Sequence, residues 1–100
     1  MAHLICYDIT KNSLRSKLAK KIIAYGLDRI NKSVYLGTLT DRSLKDLEKV
    51  IQEAIHNKGQ PNDSVVIIAV SNPAIQAMRI YGKNEMDREE LMGIRDTLIV

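Results

Sequence analysis

The sequence lacks the common signatures of thiol, zinc and serine enzymes. Its single cysteine, Cys6, cannot form an internal disulfide, and redox chemistry is not indicated. The two histidines, His3 and His56, do not have the spacing of a zinc site, so we expect ordinary surface or helix-end roles for them. There is no Gly-rich phosphate loop, and neither Ser33 nor Ser71 has an evident histidine partner. The chemistry must come from other residue types.

Long apolar runs are also missing. No stretch approaches the roughly 20 residues of a membrane span, and the first four residues, MAHL, have neither a basic region nor a cleavage site. We therefore expect a cytoplasmic protein without a membrane partner. Apolar residues make up 45% and charged residues 27% of the chain, as in ordinary globular proteins, and 100 residues leave room for one domain.

Positive charge is concentrated in the first third of the chain. Between residues 1 and 35, two acids accompany seven basic residues: Lys11, Arg15, Lys17, Lys20, Lys21, Arg29 and Lys32. Between residues 85 and 100 the balance reverses, with two basic residues against five acids. The first third is therefore a candidate surface for a polyanion such as a nucleic acid, although a basic helix face is also typical of simple solvent exposure.

Apolar periodicity predicts the order strand, helix, strand, strand, helix, strand. The elements are a strand over 3–9, a helix over 13–25 ending at Gly26, a hairpin within 28–39, a helix capped by Thr40 or Asp41 and closing at 56–59, and a strand over 65–70. This order predicts an α+β two-layer sandwich of the ferredoxin-like type with a four-stranded antiparallel sheet. We place that domain at 1–82, and a charged extension at 83–100 whose last four residues, TLIV, could add an edge strand.

The first and last strands of this sandwich are apolar on both faces, although the helices cover only one side of the sheet. The other face needs a partner, and a homodimer packed sheet to sheet would provide it. Along the first strand, Leu4, Cys6 and Asp8 share one face. A carboxylate beneath the helices would cost several kcal/mol, so we predict that Asp8 points to the open face, where two copies could approach one another.

Asp8 ends an apolar strand just before a basic helix, and two interpretations of it stay open. Two carboxylates about 4 Å apart repel by roughly 4 kcal/mol at an effective dielectric of 20. Mg²⁺ would offset this repulsion, since it commonly takes one or two carboxylates, waters and phosphate oxygens, and it could activate water for attack on phosphorus. Alternatively, Asp8 is a turn or cap residue that accepts backbone N–H bonds, because Thr10, Asn12 and Ser13 follow it.

Several short segments of the first 82 residues stand in a recognisable order. They are Tyr7-Asp8-Ile9, the basic helix from Leu14 to Tyr25, Gly26-Leu27-Asp28-Arg29-Ile30, Ser33-Val34-Tyr35 with Gly37 and Leu39, and Asp63-Ser64-Val65. No one segment is specific, but the ordered set resembles the CRISPR-associated Cas2 family over most of residues 3–82.

The resemblance implies a ferredoxin-like homodimer in which the two Asp8 residues face each other. It implies either an endonuclease dependent on Mg²⁺ or Mn²⁺, acting on RNA or double-stranded DNA, or a non-catalytic adaptor of spacer acquisition that bridges the Cas1 integrase and DNA. A regulatory module that binds a small ligand is disfavoured, because the sequence offers no evident ligand pocket.

The same resemblance assigns roles to individual residues. Asp8 is the expected metal ligand and catalytic residue, with Tyr7 as a second catalytic residue. Ser33 and Tyr35 are expected near an interface. The expected nucleic-acid contacts are Arg15, Lys17 and Arg29, and the basic face of the first helix adds Lys20 and Lys21.

Overall fold

Strands and helices follow the ferredoxin-like order in residues 1–82 and 92, the part of the chain that the computed structural model describes. The elements there are β1 (Ala2–Asp8), α1 (Asn12–Ala24), β2 (Asp28–Asn31), β3 (Val34–Thr38), α2 (Asp41–Lys58), β4 (Ser64–Val70) and α3 (Asn72–Ala77). The α+β prediction is confirmed, with element boundaries within one residue of those expected. The predicted C-terminal edge strand lies outside the described residues.

The four strands form one antiparallel sheet in the order β2-β3-β1-β4. At its centre, Ile5 of β1 pairs with Tyr35 of β3 on one side and with Ile67 of β4 on the other. The ladder between β2 and β3 is irregular between Arg29 and Asn31. In this part of the chain β2 and β4 are therefore the outer strands. Since β1 is a central strand, its last residue, Asp8, lies at one end of the sheet between the two outer strands.

The two long helices cover one face of the sheet because each presents an apolar stripe at helical spacing. No helix in residues 1–82 is long and apolar enough to cross a membrane. Thr40 caps α2 by accepting a hydrogen bond from the Ser43 amide at 3.1 Å. The main core cluster under the helices consists of Ile5, Tyr7, Ile9, Leu14, Leu18, Ile22, Leu27, Tyr35, Leu39, Leu47, Ile51 and Ala54. Full burial of each large aliphatic chain contributes about 1.5–3 kcal/mol.

Within residues 1–82, a helix covers the opposite face of the sheet at one end only. The sequence predicts no helix after the strand over 65–70. Instead, Ser71 caps the short helix α3, its hydroxyl accepting from the Ala74 amide at 3.3 Å, with a proline in the first turn. Ile75 of α3 is fully buried against Leu36 and Val70. In residues 1–82 no other helix lies on this face, although Met92 also packs against the cluster that contains Ile75. We call the part of this face beyond α3, toward Asp8, the helix-free face.

Gly37 of β3 lies against the chain reversal that follows α1. Gly26 ends that helix with φ of 98°, as predicted for a left-handed C′ residue. A Cβ added to Gly37 would meet the Leu27 Cα at 2.8 Å and the Gly26 carbonyl oxygen at 3.1 Å. Since both are backbone atoms, they cannot move aside as the end of a flexible side chain can.

We therefore expect Gly37→Ala to lower the free energy of unfolding by about 1–3 kcal/mol through overpacking. Urea denaturation followed by circular dichroism measures the change. Gly82→Ala is the matched control, because a Cβ there meets nothing within 4 Å, and its effect should stay within about 0.5 kcal/mol. Equal unfolding free energies for the two variants would contradict the close approach.

Candidate functional site

Asp8 is the exposed last residue of β1. Ile5 and Tyr7 of the same strand are buried in the helix-covered core. Because side chains alternate along a strand, Asp8 lies on the opposite, helix-free face together with Leu4 and Cys6. Across the sheet its pairing partner is Ser64. The Asp8 carboxylate makes no hydrogen bond or ion pair with any residue of the described part of the chain, which leaves it available to a ligand.

The interpretation of Asp8 as a cap or turn residue is wrong. The N-cap of α1 is Lys11, and no side chain caps this helix. The turn after β1 is held instead by Asp63, whose Oδ1 accepts from the Thr10 amide at 3.0 Å and from its hydroxyl at 2.9 Å. The Oδ2 of Asp63 accepts from the backbone amide of Gln60 at 2.8 Å. The Gln60 bond, followed by those from Thr10, lowers the pKa of Asp63 below its ordinary value.

Tyr7 lies on the other side of the sheet from Asp8. Its side chain is only 7% exposed, and its hydroxyl is 3.0 Å from the hydroxyl of Tyr35. Burial, followed by the hydrogen bond to Tyr35, raises the pKa of Tyr7 to about 12. Tyr7 therefore stays protonated at neutral pH and cannot act as a general base there. Within the single chain, the two predicted catalytic residues do not share a site.

Arg15 and Arg29, two of the predicted nucleic-acid contacts, line one pocket of about 410 Å³ between α1 and the β2–β3 hairpin. We call it the basic pocket; its lining is completed by Tyr7, Ser16, Ala19, Lys32 and Ser33. Sequence reasoning missed Ser16 and Lys32 as members, because folding alone brings the hairpin turn beside α1. Lys32 was visible only as one charge in the basic first third of the chain.

The remaining predicted site residues lie in two different environments. Lys17, Lys20 and Lys21 are exposed on α1, and no carboxylate within residues 1–82 is paired with them. Ser33 lies in the basic pocket, whereas Tyr35 is fully buried, so its role is internal. The Tyr35 hydroxyl contacts Tyr7, and its ring lies 5.8 Å from the Arg29 guanidinium carbon.

A metal site made by this chain alone is not visible in the described residues. No group of three or more His, Cys, Asp or Glu residues there could hold a metal ion. The free carboxylate of Asp8 nevertheless fits Mg²⁺, which binds proteins through one or two carboxylates and keeps several waters. Asp8 is thus one of the one or two carboxylates that such a site takes.

Comparisons with known proteins agree on one family. A family model described as CRISPR associated protein Cas2 matches residues 1–78. The chain is 38% identical over 78 residues to the CRISPR-associated endoribonuclease Cas2 2 of Pyrobaculum aerophilum, covering 77% of this chain and 82% of that protein. It is 35% identical over 72 residues to a CRISPR-associated endonuclease Cas1/endonuclease Cas2 fusion of Thermoproteus tenax, covering 72% of this chain and 26% of the fusion.

The fold has a counterpart among solved structures. The crystal structure of Streptococcus pyogenes Cas2 at pH 6.5 superimposes with a TM-score of 0.69. The similarity covers 82% of this chain and 100% of that one, at 21% sequence identity. It supports the ferredoxin-like arrangement of β1 to β4.

Proposed function

Because the chain belongs to the CRISPR-associated Cas2 family, we propose that it is a cytoplasmic, homodimeric nucleic-acid-binding protein of spacer acquisition in which paired Asp8 carboxylates hold Mg²⁺ or Mn²⁺ for endonuclease activity. The observation that carries this proposal is the exposed Asp8, without a partner among the described side chains, at the end of a helix-free apolar face. The endoribonuclease name of the Pyrobaculum aerophilum relative supports a nucleic acid as the substrate. RNA and double-stranded DNA are both candidates.

The helix-free face supports a two-fold dimer. Val66 and Ile68 of β4 are 47% and 48% exposed, and they lie beside the half-buried Leu4 and Cys6 of β1. Adjacent exposed apolar side chains of this kind mark an interaction surface. A two-fold axis that passes close to Asp8 would bring the Asp8 of one protomer to the Asp8 of its partner.

In such a pair each Asp8 contributes carboxylate oxygens from the rigid end of a central strand. The bound metal ion would polarise a phosphoryl oxygen and lower the pKa of a coordinated water. Arg15 lies close to the same strand end, because it donates a hydrogen bond to the carbonyl of Ile9 at 3.0 Å. A nucleic-acid strand that crosses this end of the sheet would therefore meet both a fixed guanidinium and the Asp8 carboxylate.

Binding of the nucleic-acid backbone predicts a steep dependence of affinity on salt. With about four phosphates neutralised, log K should fall against log salt concentration with a slope near −3.6 for a DNA duplex. Neutralising two exposed lysines in Lys20→Gln/Lys21→Gln should reduce the slope by about 1.8. Fluorescence anisotropy of a labelled duplex at several salt concentrations gives these slopes.

Lys45→Gln is the matched control for the salt experiment, since Lys45 is an exposed lysine of α2 and does not belong to the basic face of α1. Its slope should equal that of the unmodified protein. An affinity that does not change with salt would rule out binding through phosphates.

A second candidate function is the non-catalytic adaptor that bridges Cas1 and DNA. It is favoured by the Thermoproteus tenax relative, whose name joins Cas1 and Cas2 in a single chain. In an adaptor the basic residues would bind DNA in the same way, while Asp8 would serve only the dimer. The two functions differ in whether the protein cleaves nucleic acid when metal ions are present.

A further inference from the structure

The basic pocket differs from an ordinary charged surface because its cations converge from separate elements. Arg15 comes from α1, Arg29 from β2, and Lys32 from the turn between β2 and β3. No acidic residue lines the pocket. The pocket also includes the buried Tyr7, so it reaches from the surface into the layer between helix and sheet.

The two guanidinium groups are held in place by backbone carbonyls. Arg15 donates from Nη1 to the Ile9 carbonyl at 3.0 Å. Arg29 donates from Nη2 to the Lys32 carbonyl at 2.7 Å and from Nε to the Asn31 carbonyl at 3.4 Å. A guanidinium has five N–H donors, so most of them remain available after these bonds. Fixed arginine forks are suited to the bidentate recognition of phosphate oxygens.

Neutral donors complete the lining. The hydroxyls of Ser16 and Ser33 can each donate to an anion. The rings of Tyr7 and Tyr35 are both buried, at 7% and 0% exposure, so neither offers a face on which a base could stack. The pocket is thus built for a small oxyanion and not for a nucleobase.

We propose that the basic pocket binds the terminal phosphate monoester of a nucleic-acid strand. A monoester carries a charge of about −1.5 to −2 at pH 7 and three terminal oxygens, which suit three cations on different sides. An internal phosphodiester has a single charge, and its strand would have to enter the pocket and leave again. The claim that the ligand is a nucleic-acid strand rests on the proposed function. The claim that a phosphate group binds here rests on the pocket alone.

The test compares one oligonucleotide in three forms, with a 5′-phosphate, a 3′-phosphate or hydroxyls at both ends, at constant ionic strength. Fluorescence anisotropy should show a terminal phosphate strengthening binding by about tenfold, the size expected for added charge-assisted hydrogen bonds. In Lys32→Gln the preference should fall to less than about twofold. The Lys32 side chain is exposed and its carbonyl still holds Arg29, so this variant should fold normally, and Lys45→Gln should keep the full preference.

Inorganic phosphate probes the pocket without any strand. In two-dimensional NMR, added phosphate should shift the amide signals of Ser16 and Ser33, and chloride at the same ionic strength should not. Equal affinities for the three oligonucleotide forms, or a preference that survives in Lys32→Gln, would overturn the proposal while leaving backbone binding intact. Phosphate shifts in a protein that binds no oligonucleotide would support the pocket and overturn the proposed nucleic-acid function instead.

Discussion

Replacement of Asp8 by asparagine is expected to abolish metal-dependent cleavage of RNA or duplex DNA without disturbing the fold. Asparagine keeps the shape of the side chain but is neutral and has one oxygen fewer to offer a divalent cation. Metal activation contributes several kcal/mol to the transition state, so its loss corresponds to about a thousandfold in rate. Since the Asp8 carboxylate has no bonded partner within residues 1–82, the free energy of unfolding should change by less than about 0.5 kcal/mol.

A cleavage assay with Mg²⁺ or Mn²⁺ titrated against labelled RNA and duplex DNA measures the effect. Asp46→Asn is the matched control, because Asp46 is exposed on α2, outside both the helix-free face and the basic pocket. It should cleave like the unmodified protein. If Asp8→Asn cleaves as fast as the unmodified protein, the cleavage comes from a contaminating nuclease, and the adaptor function is the better account.

Replacement of Ile68 by aspartate should convert the dimer to a monomer and so remove cleavage even though Asp8 is intact. Ile68 is 48% exposed in the single chain, where an aspartate is tolerated. In a sheet-to-sheet dimer the new carboxylate would be buried in the apolar interface without a cation, which is strongly unfavourable. Light scattering after gel filtration should show the mass fall from twice 11.3 kDa to 11.3 kDa.

Ile23→Asp provides a closely matched control for this change. Ile23 has nearly the same exposure, 49%, but lies on α1 in the helical layer. It should leave the dimer intact. A dimer that persists in Ile68→Asp would place the interface elsewhere. Together, Asp8→Asn as an inactive dimer and Ile68→Asp as an inactive monomer would assign the chemistry to the pair of protomers.

Regular features of this fold were predictable because they depend on local spacing. The stripe of Leu14, Leu18 and Ile22 indicates α1, and Gly26 indicates where it ends. The strict alternation of a strand placed Asp8 on the open face. That same alternation puts Tyr7 on the other face, which separates two residues that the family resemblance had grouped as catalytic.

The missed features depend on contacts between distant parts of the chain or on very short elements. Asp63 bonds to Thr10 across 53 residues, and no local pattern indicates such a pair. The basic pocket joins Ser16 to Lys32 through the packing of α1 on the hairpin. Helix α3 has only six residues, too few to show a period. Its cap, Ser71, and the nearby Pro73 also match the Ser, Asn and Pro clusters that bound strands.

Within residues 1–82, the two outer strands of the sheet, β2 and β4, differ in how readily their edges would pair with another strand. β2 has four residues, carries Asp28 and Arg29, and is irregular before Asn31, all features that discourage pairing between sheet edges. β4 has seven residues without a charge or a proline. Backbone hydrogen bonding to a further strand is therefore favoured at the edge of β4 and disfavoured at the edge of β2. A further strand is expected to join the sheet beside β4, and edge-to-edge association of many copies, which would need both outer strands, is disfavoured.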